Sequence, residues 1–277
     1  MRPAALALAA MIACSTAQAR PAPAPGDRYV ALGSSYAAGP GLGAVADGAP
    51  ARCGHGAASY PRQLAAKLRL KLTDASCSGS TTEHILGPWN EIAPQIEAVT
   101  ADTRLVTVTT GGNDVGFVTN LGAAACATMP EAARPPQCPR PRVVSEADWR
   151  GVEQRMARIA AEVHARAPRA RLVFVDYVTI VGPTGGCAAL PGDADALASS
   201  RAQARRLAAI TARVARRNRA LLFRASALTQ GHGPCEADPW SLGIAPGEPD
   251  GGVPLHPGPK AHGAIAEGLA RLLARRG

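Results

Sequence analysis

The chain predicts an α/β fold, a parallel sheet covered by helices on both faces. Three observations carry that prediction. Short apolar, β-branched runs alternate with longer stretches whose apolar residues recur at helical spacing. The alternation continues along the chain without an internal repeat. The short runs are nearly continuously apolar, as strands buried on both faces are.

The first run, Tyr29-Val30-Ala31-Leu32, ends in Gly33-Ser34-Ser35-Tyr36. Glycine there permits the sharp turn that lifts a serine hydroxyl clear of a sheet. The stretch Gly39-Pro40-Gly41-Leu42-Gly43 begins a loop that runs to about residue 59. It lacks the Gly-Lys-Ser/Thr ending of a phosphate loop, which excludes a nucleotide site of that kind. A helix starts at Ser59-Tyr60-Pro61, with Leu64, Ala65, Leu68 and Leu72 on one face. A strand follows over 70–75, and then the small-residue turn Ser76-Cys77-Ser78-Gly79-Ser80, with Thr81 or Thr82 placed to cap a helix through Leu86. Ile92, Ile96 and Val99 mark a helix, and the β-branched run 104–110 marks a strand that leads into Gly111-Gly112-Asn113-Asp114. Residues 121–144, rich in Ala and Pro, read as a loop excursion. Beyond it come a helix over 146–167 closed by Pro168, a strand over 172–177, an Ala/Arg helix over 195–218 and a short strand at 221–223. A terminal helix carries a core-facing stripe of Ala261, Ala264, Ile265, Gly268, Leu269 and Leu272.

Residues 1–19 read as a signal peptide: Arg2, a short apolar centre and the A-x-A site Ala17-Gln18-Ala19. A lipoprotein-type anchor at Cys14 is the alternative, weakened because the usual leucine is missing. Residues 20–26 form a Pro/Ala linker, and 27–277 are one domain, a length that suits a single large core. No other stretch is apolar enough to cross a membrane. Of 7 cysteines, six lie beyond the leader. An even set in an exported chain implies disulfides. Each successive pair brackets a Gly/Pro-rich loop, so the expected bridges are Cys53–Cys77, Cys126–Cys138 and Cys187–Cys235. The formal net charge of +9 falls by one when Arg2 leaves with the leader. Such a charge suits weak association with anionic envelope surfaces, although arginine-rich helix faces exposed to solvent account for most of it. Aromatics make up only 4% of the chain. With so few stacking residues and no nucleic-acid module, no nucleic-acid partner is expected. A monomer is the expectation.

In open parallel sheets, ligands gather outside the carboxyl ends of the strands. Ser35, Gly79 and Asn113 all follow such ends and would converge on one rim. Ester cleavage needs a nucleophile and donors aimed at the oxyanion of the tetrahedral intermediate. The N–H groups of Ser35 and Gly79 and the amide of Asn113 supply that chemistry. Among six histidines the base is best placed at His256, in Leu255-His256-Pro257-Gly258 at the mouth of the terminal helix. His164 reads as surface, His55 and His232 as loop residues, and His262 as a helix cap or solvated group. No pair of histidines has the i, i+4 spacing of a helical metal site.

Gly33-Ser34-Ser35-Tyr36, Gly79 in Cys-Ser-Gly-Ser, Gly111-Gly112-Asn113-Asp114 and His256-Pro257 resemble, in order, the four blocks of the GDSL-type esterases and lipases, also called SGNH hydrolases. The likeness spans nearly the whole chain beyond the leader. It implies a flavodoxin-like three-layer α/β/α sandwich with a central parallel sheet, Ser35 as nucleophile, His256 as base, and Ser35, Gly79 and Asn113 as oxyanion donors. It also implies a carboxylic ester as partner, lipid or small molecule, and neither metal nor organic cofactor. The three-bridge pattern is similar to that of the secreted bacterial branch.

Two positions depart from the family pattern. Ser34 stands where the family usually has aspartate. Val253 stands where it commonly has the aspartate that orients the histidine. Some secreted members use a backbone carbonyl for that role, which the carbonyl of Val253 would fill here. Asp250 is the rival, on the flexible tether Asp250-Gly251-Gly252. Two further readings stay open: an acyltransferase using the same residues with an alcohol acceptor, and a catalytically silent envelope- or carbohydrate-binding protein. The loops at 37–58, 115–145 and 183–194 are the expected pocket walls.

Overall fold

The apolar runs of the sequence become five strands in a computed structural model of the chain, which describes residues 20–134, 137–183, 185–244 and 251–275. Residues 1–19, expected as a signal peptide and including Cys14, lie outside the described residues, as does Asp250. The strands are β1 (Arg28–Gly33), β2 (Lys71–Asp74), β3 (Thr103–Thr109), β4 (Arg171–Val175) and β5 (Leu221–Phe223). All neighbours pair in parallel, in the order β2-β1-β3-β4-β5. This is the flavodoxin-like order, in which the chain reverses direction across the sheet between β1 and β3. β4 is wholly buried, while β2 and β5 at the sheet edges are only partly so.

Eight helices complete the described fold: α1 (Ser35–Ala38), α2 (Tyr60–Leu68), α3 (Thr82–Leu86), α4 (Phe117–Thr128), α5 (Glu146–Arg166), α6 (Ala194–Arg217), α7 (Ala225–Leu228) and α8 (Pro259–Ala274). Their starts follow from local chemistry. Pro61 and Pro259 sit in first turns, where their missing N–H costs nothing. Ser145 and Asp148 form a capping box on α5, and the Asp193 carboxylate accepts from the Ala196 N–H at the start of α6. α2 packs on α8, while α3, α4, α5 and α6 pack among themselves. Right-handed crossovers put these two groups on opposite faces of the sheet, giving the three-layer sandwich.

Three expectations change. Residues 117–128, two thirds of them inside the expected loop excursion, form α4, whose Ala-rich sequence needs no amphipathic stripe because it nests on α6. The helix expected around Ile92, Ile96 and Val99 shrinks to a 3₁₀ turn, Gln95–Ala98, since Pro94 disfavours helical backbone at Ala93 before it. Leu72, expected on the face of α2, belongs to β2, since α2 closes at Arg69 in the left-handed conformation. The three disulfides Cys53–Cys77, Cys126–Cys138 and Cys187–Cys235 are all formed.

Candidate active site

Gly33 ends β1 at φ +138°, and a Cβ there would lie 2.3 Å from the Thr109 carbonyl oxygen. Only glycine fits. Its main chain is clamped from both sides. Gly33 N–H donates to Gln95 Oε1 (2.8 Å), and its carbonyl accepts from Gln95 Nε2 (3.0 Å), Ser80 Oγ (2.8 Å) and Cys77 N–H (2.9 Å). Ser34 N–H donates to Thr109 across the sheet at 3.0 Å. The turn that follows presents Ser35 as the first residue of α1.

His256 arrives from the other end of the chain. Leu255, at φ +61°, swings the main chain so that the carbonyl of Pro254 comes round to His256 Nδ1 at 2.7 Å. Nε2 lies 2.8 Å from Ser35 Oγ. The Tyr36 hydroxyl donates to the Leu255 carbonyl at 2.7 Å, and its ring lies 4.9 Å from the imidazole, so the residue after Ser35 also holds the histidine loop. The acceptor at Nδ1 is thus Pro254 rather than Val253, the expected one. Counting back from the histidine to the family's aspartate gives the wrong residue, because the left-handed Leu255 brings the nearer carbonyl into reach.

A carbonyl oxygen only accepts, so Nδ1 carries the ring proton. In the neutral ring Nε2 is then a bare lone pair directed at the Ser35 hydroxyl. Burial pulls the His256 pKa below its ordinary value, and the Pro254 carbonyl opposes this without reversing it. The ring therefore sits ready to accept a proton at neutral pH.

Gly79 follows β2 at φ +84°, and a Cβ there would stand 3.2 Å from the edge of the Trp89 ring. Asn113 follows β3, and its Nδ2 donates one hydrogen to the Ser80 carbonyl at 2.8 Å, which fixes the amide and leaves its other hydrogen available. Gly112 N–H donates to the Tyr177 hydroxyl at 2.9 Å, and the same hydroxyl meets Ser34 Oγ at 3.2 Å. Asp114 is buried; it accepts from Thr82 N–H and Thr82 Oγ1 and pairs with Arg155. Ser80 thus ties three turns together, through Gly33, Gln95 and Asn113. Among the described residues, the N–H groups of Ser35 and Gly79 have no acceptor. They stand unspent at neighbouring strand ends.

The structure brings Ser35 and His256 into contact and links Gly79 and Asn113 to the Ser35 turn. Asp250 lies outside the described residues. The remaining histidines are occupied elsewhere. His262 is fully buried rather than solvated: its Nδ1 accepts from Tyr60 N–H (3.0 Å), and burial first, with His256 next, pushes its pKa down to about 3. His164 is half-buried rather than on the surface, with Nε2 donating to the Asn218 carbonyl. His232 meets the Asp238 carbonyl, and His84 completes the capping box of α3 with Thr81. Gln95, Ser80 and Tyr177 escaped the sequence reading. Ser80 adjoins Gly79 and Tyr177 follows β4, placements that could have flagged both; Gln95 gave no signal.

A serine and a histidine meet at the carboxyl end of a 2-1-3-4-5 parallel sheet, and the family and relatives of this chain make its class that of the α/β carboxylic ester hydrolases. The GDSL-like lipase/acylhydrolase family matches residues 31–264, and the chain belongs to it. Lipase 2 of Streptomyces coelicolor is 32% identical over 231 residues, covering 80% of this chain and 78% of the relative. A lipase of Streptomyces rimosus is 28% identical over 76% of this chain and 75% of its own length. Among solved structures, phospholipase A1 from Streptomyces albidoflavus superposes with a TM-score of 0.70 and the extracellular lipase from Streptomyces rimosus with 0.67. Each is 24% identical and covered over 98% of its length by 88% of this chain, a likeness of fold.

Proposed function

We propose that the chain is an exported serine esterase or lipase that works through an acyl-enzyme on Ser35. The observation that carries the reading is the 2.8 Å contact of Ser35 Oγ with an imidazole whose other nitrogen is fixed by a carbonyl. Ser35 Oγ attacks the ester carbonyl carbon as His256 Nε2 takes its proton. The oxyanion of the tetrahedral intermediate accepts from Ser35 N–H, Gly79 N–H and Asn113 Nδ2. His256 then protonates the departing alkoxide, leaving an acyl-serine and a free alcohol. Water attacks the acyl-serine, gives its proton to His256, and releases the carboxylic acid with Ser35 restored. The Pro254 carbonyl keeps the ring in the required tautomer and takes the place that a carboxylate holds in a triad.

Export is supported by the leader-like residues 1–19, by three disulfides and by the extracellular lipase among the relatives of like fold. Residues 27–277 act as one domain in this reading. An acyl-chain-length series of chromogenic esters on wild type and Ser35→Ala tests it. Turnover should vanish in the variant at every length, and the optimum of the wild type separates esterase from lipase. Retained turnover in Ser35→Ala, or transfer to added glycerol in preference to water, overturns it.

A further inference from the structure

The loop between α1 and α2 contains a buried histidine that the mechanism does not use. His55 exposes 3% of its side chain. Its Nε2 lies 2.6 Å from the Ser76 carbonyl, its Nδ1 lies 2.6 Å from Asp47 Oδ2, and Asp74 Oδ1 is 3.8 Å away. Carbonyl and carboxylate oxygens only accept, so both ring nitrogens carry hydrogen and the ring is an imidazolium. Arg62 faces the same two carboxylates, bonding Asp47 and standing 3.9 Å from Asp74.

The placement of that cation gives it a purpose beyond anchoring a loop. Residues 53–55 are tied to three consecutive residues of the turn after β2. His55 donates to Ser76, Cys53 is bridged to Cys77, and the Cys53 carbonyl accepts from Ser78 N–H (3.1 Å) and Ser78 Oγ (2.8 Å). The next residue in that turn is Gly79. On the other side, Gly56 N–H donates to the carbonyl of Ala38 at 2.8 Å. Gly56 is wedged there, since a Cβ would meet the Gly39 carbonyl at 1.9 Å. Ala38 ends the four-residue helix that Ser35 begins. Four residues therefore span from the helix carrying one unspent N–H to the turn carrying the other.

We propose that His55 is a positioning residue for the oxyanion hole: it holds segment 53–56 as a strut that sets the spacing of the Ser35 and Gly79 N–H groups. The inference rests on the reading of those two groups as oxyanion donors. Displacing such a donor by a fraction of an ångström weakens the transition state more than the bound ester, because the charge it meets exists only at the transition state. The inner clamp of Gln95 and Ser80 on Gly33 survives loss of the strut. The effect is thus smaller than loss of a donor.

The test is His55→Gln in the full chain, beside wild type, Asp47→Asn and Ser35→Ala, with a short chromogenic ester as substrate and an alkylboronic acid as inhibitor. Boronate adds to the serine as a tetrahedral anion and reads the oxyanion hole directly. In His55→Gln, kcat should fall roughly tenfold with KM nearly unchanged, and boronate affinity should fall in step. Asp47→Asn, which keeps an acceptor for Nδ1 but removes a charge, should move both quantities the same way by less. It carries the test alone if His55→Gln does not fold. Unchanged kcat and boronate affinity with only a lowered melting temperature, or a rise confined to KM, overturn the proposal. An active Ser35→Ala would instead remove the mechanism beneath it; an inert Ser35→Ala beside an unaltered His55→Gln defeats the strut alone.

Discussion

His256 and His55 both make two hydrogen bonds through ring nitrogens in nearly dry surroundings, yet the protein holds them in opposite states. His256 meets a carbonyl and a hydroxyl, and burial outweighs the carbonyl, so its pKa is lowered. His55 meets a carbonyl and a carboxylate, with a second carboxylate near. Burial pulls its pKa down, but Asp74, the Ser76 carbonyl and Asp47 together outweigh burial and raise it. A hydroxyl opposite Nε2 leaves a lone pair free to move a proton; acceptors on both sides leave none. The first arrangement suits catalysis and the second suits construction, and the difference lies in the partners rather than the ring.

The largest test of this contrast is His256→Gln. Hydrolysis should drop by a factor on the order of 10⁴ or more while folding is preserved, as expected when the group that moves the proton is lost. Loss of less than about tenfold, no more than His55→Gln is expected to give, would erase the distinction between the two rings.

Stability against pH sharpens the contrast through a third ring. His262, folded with a pKa of about 3, is kept neutral, so its contribution is fully present above the unfolded value of 6.5 and is lost as pH falls from there towards 3. That loss is on the order of 5 kcal/mol. His262→Gln, which still offers an oxygen to Tyr60 N–H, should flatten the acid limb in denaturant titrations run across pH. The raised pKa of His55 has the opposite sign: its contribution is full below 6.5 and fades as pH rises through the raised folded value. His55→Gln should therefore flatten the alkaline side, which His262→Gln should leave alone. A shared response of the two variants would mean that burial alone governs both rings.

The smallest expected effect is that of Asp250→Asn. With the Pro254 carbonyl already on Nδ1, kcat should change by less than about twofold. A hundredfold loss would give His256 a carboxylate after all and bring the two histidines into one category.

Much of this architecture is legible before any coordinates are known. The buried runs at Tyr29, Leu105 and Leu172 announce central strands because a strand covered on both faces has no polar side to show. Gly33, Gly79 and Gly111 mark strand ends whose backbones require positive φ, and those ends converge by topology. Helix α4 stayed hidden because a run such as Ala123-Ala124-Ala125-Cys126 has no polar face to give it a period. The Pro254 carbonyl stayed hidden because it depends on one left-handed residue, Leu255, a type that rarely adopts that conformation. Gln95, which clamps Gly33 from 62 positions away, is a tertiary fact with no local pattern.

That main-chain carbonyl has a genetic consequence. An aspartate that orients a histidine can be lost to one missense change, neutralised by acid or screened by salt. Any residue that replaces Pro254 brings a carbonyl of its own, and none of them titrates. Natural variation can therefore tune this contact only by bending the loop around it, through positions such as Leu255 and Tyr36.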